Sequence, residues 1–186
     1  MLEPTWDPSQ IPHPDVSHIA TEDGAPVDNI FSEKQMRLLT TALYASWRPD
    51  GERKFGAFAN VGLFSSPDVP PVVPDVMVSL DVTTPTYPKE KSERTYFIWV
   101  RGKSPEVTIE VVSNREGGEV QKLERYAEMG VAYTAIHDPD LLLSKRPLRV
   151  YELRGRHYVE MLPPFWLEDV GLGLTLWEGT FEDTTA

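Results

Sequence analysis

Apolar and polar positions alternate along this chain with two periods, and the switch between them is clearest from 105 to 139. The tract Val107-Thr-Ile-Glu-Val-Val-Ser113 is β-branched almost throughout, which predicts a buried strand over 107–112. A Gly-Gly break at 117–118 follows, and Glu119-Val-Gln-Lys122-Leu-Glu-Arg-Tyr126 then takes up helical spacing. The predicted helix runs over 119–129, with Gly130 at the left-handed position that ends it. A further apolar run over 131–136 makes the third element. Strand, helix and strand in some thirty residues form a βαβ crossover, so the two strands should lie parallel in one sheet.

Earlier in the chain, Met36, Leu39, Leu43 and Trp47 follow a helical period. Ser32 is the candidate N-cap, with Gln35 three residues on, and the pattern stops before Pro49. Strands are expected over 58–64 and 76–82, joined by the proline-rich segment 67–74, and a short aromatic strand over 96–100. Residues 149–153 and 157–161 flank Arg154-Gly-Arg156 as a hairpin. Gly171-Leu-Gly-Leu-Thr-Leu-Trp177 alternates small or polar with apolar residues, as a terminal strand or an interface element would. Residues 1–29 hold five prolines and little periodicity, so they read as an irregular arm ending in a turn at Thr21-Glu-Asp-Gly24. The expected organisation is that arm followed by one α/β domain over 30–186, a mixed β-sheet with a βαβ crossover and flanking helices.

Composition narrows the function classes. With 186 residues, 40% hydrophobic and 25% charged, the chain suits one globular domain with a real core. It has no cysteine, which excludes disulfides and thiolate zinc sites and suits a reducing compartment. Neither a signal peptide nor an apolar run of membrane-spanning length is evident, so the expected location is the cytoplasm and no membrane partner is expected. A formal net charge of −11 argues against broad, nonspecific attraction to nucleic acid. The four histidines are scattered without zinc-site spacing, and neither a phosphate-binding glycine loop nor a Gly-x-Ser-x-Gly elbow occurs. The tryptophans are not interleaved with basic residues, which favours core and interface roles over a base-stacking platform.

Glu110 is the residue these patterns leave unexplained, because a carboxylate inside a buried strand is costly unless paired or bound to a metal. Asp75 follows Pro74 at the start of the strand over 76–82. If that strand neighbours the one over 107–112, the two carboxylates converge and can bind a hard cation such as Mg²⁺, and at least one should have a raised pKa. Lys122, twelve residues beyond Glu110, lies one turn into the helix that packs back on the sheet. Two carboxylates, a cation and a lysine suit phosphodiester hydrolysis. Each residue also has a structural reading: Asp75 as a turn residue, Glu110 as an ion-pair partner of Arg115 or Lys122, Lys122 as a solvated helix position, and Tyr126 as core.

Val73-Pro-Asp-Val-Met-Val, the 107–113 tract, Lys122-Leu-Glu-Arg-Tyr126-Ala-Glu-Met-Gly-Val131 and His137-Asp-Pro139 together resemble the Uma-type family of restriction endonuclease-like proteins. That family belongs to the PD-(D/E)xK nuclease superfamily. The resemblance runs from Thr21-Glu-Asp-Gly24 to Leu176-Trp-Glu-Gly179. It implies a restriction-endonuclease-like fold, Asp75 and Glu110 as the two acids, and Lys122 as the motif's lysine moved to the following helix. It also implies the carbonyl of Val111 as a further ligand of Mg²⁺ or Mn²⁺, and nucleic acid, first of all DNA, as the substrate. The chain departs from the superfamily pattern in having Val111-Val112 after the second acid and Asn114-Arg115 after Ser113. Gln121 is an alternative to Lys122, and a non-catalytic binding or assembly module is the alternative to a nuclease. Glu22 of the arm is a further candidate at the site. Cutting both strands of a duplex with one site per chain is simplest in a two-fold dimer. Leu172, Leu174, Leu176 and Trp177 are candidate contacts for it, unless they lie in the core.

Overall fold

The computed structural model describes residues 30–84, 87, 90–115 and 117–185. The expected arm over 1–29, its turn and Glu22 lie outside the described residues. In chain order the elements are α1 (Ile30–Ser46), β1 (Phe55–Ala59), β2 (Leu63–Phe64), β3 (Val76–Leu80), α2 (Lys91–Arg94), β4 (Tyr96–Phe97), α3 (Ile98–Arg101), β5 (Val107–Val111), α4 (Gly118–Met129), β6 (Tyr133–His137), β7 (Leu148–Arg154), β8 (His157–Glu160), β9 (Phe165–Leu167), β10 (Leu172–Leu174), β11 (Thr180–Phe181) and β12 (Thr184–Thr185).

Six strands make the main sheet in the order β1-β3-β5-β6-β7-β8. Within this sheet only β5 and β6 pair in parallel, which is the pairing the βαβ pattern requires. Every residue of β3 and of β5 is buried, because these central strands are covered on both faces, and that is why their sequences are nearly continuous in apolar residues.

The two faces have different covers. Val76, Val78 and Leu80 of β3, Val107 and Ile109 of β5, and Tyr133 and Ala135 of β6 pack with Met36 of α1 and with Leu167 and Val170 near the C-terminal end. Leu39, Leu43 and Trp47 pack against the same cluster, so the helical stripe read from the sequence is the face α1 buries. On the other face, Met77 packs with Tyr126 and Met129 of α4 and with Val131, Leu63 and Tyr96. Gly130 closes α4 at φ 76°, with its N–H donating to the Ala127 carbonyl.

Several boundaries differ from the sequence expectation. The expected strand over 58–64 divides into β1 and β2, because Asn60 takes φ 53°, a left-handed conformation that breaks a strand and that asparagine tolerates better than most residues. β2 then pairs in parallel with β4, away from the main sheet. The aromatic segment over 96–100 is strand only through Phe97, after which α3 makes one turn and stops at Gly102 with φ 74°. Ser32 is buried inside α1 rather than capping it. The hairpin at 154–156 forms as expected, with Gly155 at φ 66°. The 171–177 segment is strand only over β10, which pairs with β9. No helix among the described residues is long and apolar enough to cross a membrane.

Candidate active site

The candidate site lies where β3 begins and β5 ends, under α4. The antiparallel register pairs Val76 with Ile109, so one step further places Asp75 across from Glu110. Residues opposite one another in a sheet point to the same face, and here it is the face covered by α4. Asp75 is anchored to β5 directly: the Val111 N–H donates to its Oδ2 at 2.6 Å. The N–H and C=O of one strand residue point toward the same neighbouring strand, so the Val111 carbonyl faces the Asp75 side as well.

Glu110 is 1% exposed. Lys122 Nζ donates to its Oε2 at 2.7 Å, and the Tyr126 hydroxyl donates to its Oε1. The spacing of Lys122 and Tyr126 explains this grip, because residues four apart stand on one helix face. Lys122 also donates to the Val73 carbonyl at 2.8 Å, just before Asp75, and its side chain is 31% exposed. Its stem therefore spans from α4 to the start of β3 while its ammonium stays at the solvent boundary.

Burial is the main influence on Glu110 and raises its pKa from 4.5 to about 7, with the charge of Asp75 adding to the rise. Lys122 and Tyr126 pull it back down. A buried carboxylate facing another carboxylate should behave this way. Burial, then the Glu110 charge, drives the Tyr126 phenol far upward, so it is a permanent donor at any working pH.

Of the sequence-derived candidates, Asp75, Glu110, Val111 and Lys122 come together. Glu110 pairs with Lys122 and not with Arg115 among the described ion pairs. Gln121 is exposed, one position off the face that carries Lys122. Tyr126 is both core and partner of Glu110. Sequence reading overlooked the Val73 carbonyl and a buried hydroxyl relay beside Glu110. In that relay Thr108 and Thr134 share a hydrogen bond at 2.8 Å, Thr134 bonds the Tyr158 hydroxyl at 2.9 Å, and Tyr158 donates to the Val131 carbonyl. Alternation within β5 puts Thr108 on the face of Glu110, and that two-residue step was the available signal.

The donor set is two carboxylates and one carbonyl, all hard oxygen ligands of the kind Mg²⁺ and Mn²⁺ take. Among the described residues no third histidine, cysteine or acid gathers with them. The residues therefore fit a hard divalent cation with part of its coordination left to water or substrate.

The arrangement defines a mixed α/β protein with two acids and a lysine gathered where the central strands β3 and β5 meet at one end of the sheet. The same fold occurs in a crystallised "putative nuclease belonging to DUF820" from Anabaena variabilis, 15% identical with a TM-score of 0.52, covering 80% of each chain. The chain belongs to the Uma2 family, described as "Putative restriction endonuclease", whose model matches residues 22–175. No curated protein matches the chain.

Proposed function

We propose that the chain is a Mg²⁺- or Mn²⁺-dependent nuclease that hydrolyses phosphodiester bonds in nucleic acid, DNA in the first instance. The observation that carries this is the convergence of Asp75, Glu110 and Lys122 at one point of the sheet, in a chain whose family is restriction-endonuclease-like. Asp75, Glu110 and the Val111 carbonyl would hold the cation. When bound, it neutralises phosphate charge and makes water a better nucleophile.

The protein's own residues do the rest. Two of the three ammonium donors of Lys122 are fixed by Val73 and Glu110, leaving a third to orient water or to meet charge developing on the phosphate. Tyr126 holds Glu110 in one rotamer. Burial of Glu110 keeps bulk water from competing for its oxygens.

One observation favours the binding-module reading: both oxygens of Glu110 already accept hydrogen bonds, as in a structural ion pair. The two readings part in a single experiment. With Mg²⁺ or Mn²⁺ the purified protein should cut DNA, chelator should stop it, and calorimetry should detect metal binding that Glu110→Ala abolishes. If wild type and Glu110→Ala bind metal equally weakly and neither cuts single- or double-stranded substrate, the module reading stands instead.

A two-fold dimer would present two such sites to the two strands of a duplex. Leu172 and Leu174 pack against the protein's own core, but Leu176 and Trp177 are 49% and 53% exposed and remain the candidate contacts. Light scattering at tens of micromolar should show a dimer, and Trp177→Glu should return it to monomer. A wild type that stays monomeric at that concentration removes the dimer.

A further inference from the structure

The sheet register carries the row of Asp75 and Glu110 further than the two acids. Glu110 is paired with Ile136 across β5 and β6, and Ile136 with Arg149 across β6 and β7. Cross-strand partners share a face, so Asp75, Glu110, Ile136 and Arg149 form one transverse row on the α4 face. Adjacent strands are roughly 4.8 Å apart, which puts the Arg149 backbone about two spacings from that of Glu110.

Arg149 is poorly satisfied where it stands. Among the described residues its one hydrogen bond is a long one, Nη1 to the Tyr151 hydroxyl at 3.4 Å. Nε and Nη2 are shielded from solvent without a hydrogen-bond partner among the described residues, and no described carboxylate pairs with it. Arg37, Arg53, Lys103, Lys122, Arg146 and Arg154 all hold ion pairs. A guanidinium has five donors, and leaving shielded ones unmet costs free energy. In a protein of net charge −11, a cation on the face of the candidate site with no acid partner among the described residues is a candidate to receive an anion from outside. Its planar fork suits the two free oxygens of a phosphodiester, and its long stem lets it leave the weak Tyr151 contact to meet them.

We propose that Arg149 is a positioning residue that binds a nucleic-acid backbone phosphate flanking the one set at Asp75 and Glu110. This rests on the nuclease reading for the identity of the anion, and it assigns a substrate contact on β7, outside the acids and lysine of the motif. The Ile136 side chain between Glu110 and Arg149 acts as an apolar spacer that keeps the guanidinium from collapsing onto the carboxylates.

The test is fluorescence anisotropy with a fluorescein-labelled DNA duplex and its matching single strand, in chelator so that nothing is cut. Arg149→Gln should weaken binding roughly tenfold or more, as loss of a charge-assisted bidentate contact does. It should also reduce the slope of log affinity against log salt by about 0.9 on duplex or about 0.7 on single strand. Arg149→Lys should keep the slope and lose part of the affinity. Neither variant should melt below wild type, because the side chain satisfies little in the free protein. Unchanged affinity and slope in Arg149→Gln overturn the inference, as does a variant that melts lower or does not fold, or a wild type that binds neither probe at low salt. The two readings fail separately when Mg²⁺ is added. A wild type that binds through Arg149 but never cuts ends the nuclease reading alone, whereas an Arg149→Gln protein that binds and cuts normally ends this inference alone.

Discussion

Lys122→Ala should keep metal binding and lose cleavage, by on the order of 10²-fold or more, the usual cost of removing a group that acts on the reacting atoms. The separation follows from geometry. The cation's expected ligands are oxygens of Asp75, Glu110 and Val111, whereas Lys122 supplies only N–H donors. Removing it takes away the larger of the two influences that lower the Glu110 pKa, so in the metal-free variant the carboxyl stays protonated to higher pH and the fold avoids an uncompensated buried charge. Asp75→Ala, by contrast, should lose both metal binding and activity, and should loosen the end of β5 by freeing the Val111 N–H. Gln121→Ala should leave the rate unchanged, since that side chain is exposed. Calorimetry and single-turnover cleavage on the same preparations check all three. Lys122→Ala cutting at the wild-type rate would return the lysine to a structural role.

What the sequence made legible was local. The 107–112 strand, the helix after it and Gly130 each have a short-range cause: a β-branched run, a 3.6-residue period, and a site that needs positive φ. The acid at 110 stood out because a strand buried on both faces offers a charge no solvent, and a spacing of four placed Lys122 and Tyr126 together. What was not legible came from pairing between distant segments. Nothing in the sequence of β1 says that it flanks β3, or that β2 leaves the main sheet to pair with β4. The break between β1 and β2 turns on one asparagine in a left-handed conformation. Arg149 was invisible for the same reason. On β7 it is one polar residue in an alternating hairpin strand, and only the register across β6 puts it in the row of Glu110. The Val73 carbonyl had no side-chain signature at all.

Glu110→Gln should change how stability depends on pH in the metal-free protein. The folded-state pKa of Glu110 is raised from 4.5 to about 7, so the native state holds this proton more tightly than the unfolded chain. Its contribution to stability is therefore fully present below pH 4.5 and is lost as pH rises through about 7. A rise of that size corresponds to about 3 kcal/mol at the upper end. Glutamine has the shape of the protonated acid and cannot ionise, and its carbonyl still accepts from Lys122 or Tyr126. In chelator, the variant should match wild type near pH 4.5 and become the more stable of the two by a few kcal/mol above pH 7, read as a difference in urea midpoint at constant slope. Mg²⁺ should close that gap from the wild-type side, because a cation that binds only the folded, ionised carboxylate stabilises it by mass action while leaving Glu110→Gln unmoved. A stability difference that stays constant across this pH range would mean that Lys122 keeps Glu110 ionised throughout, and that the ion pair rather than burial governs the site.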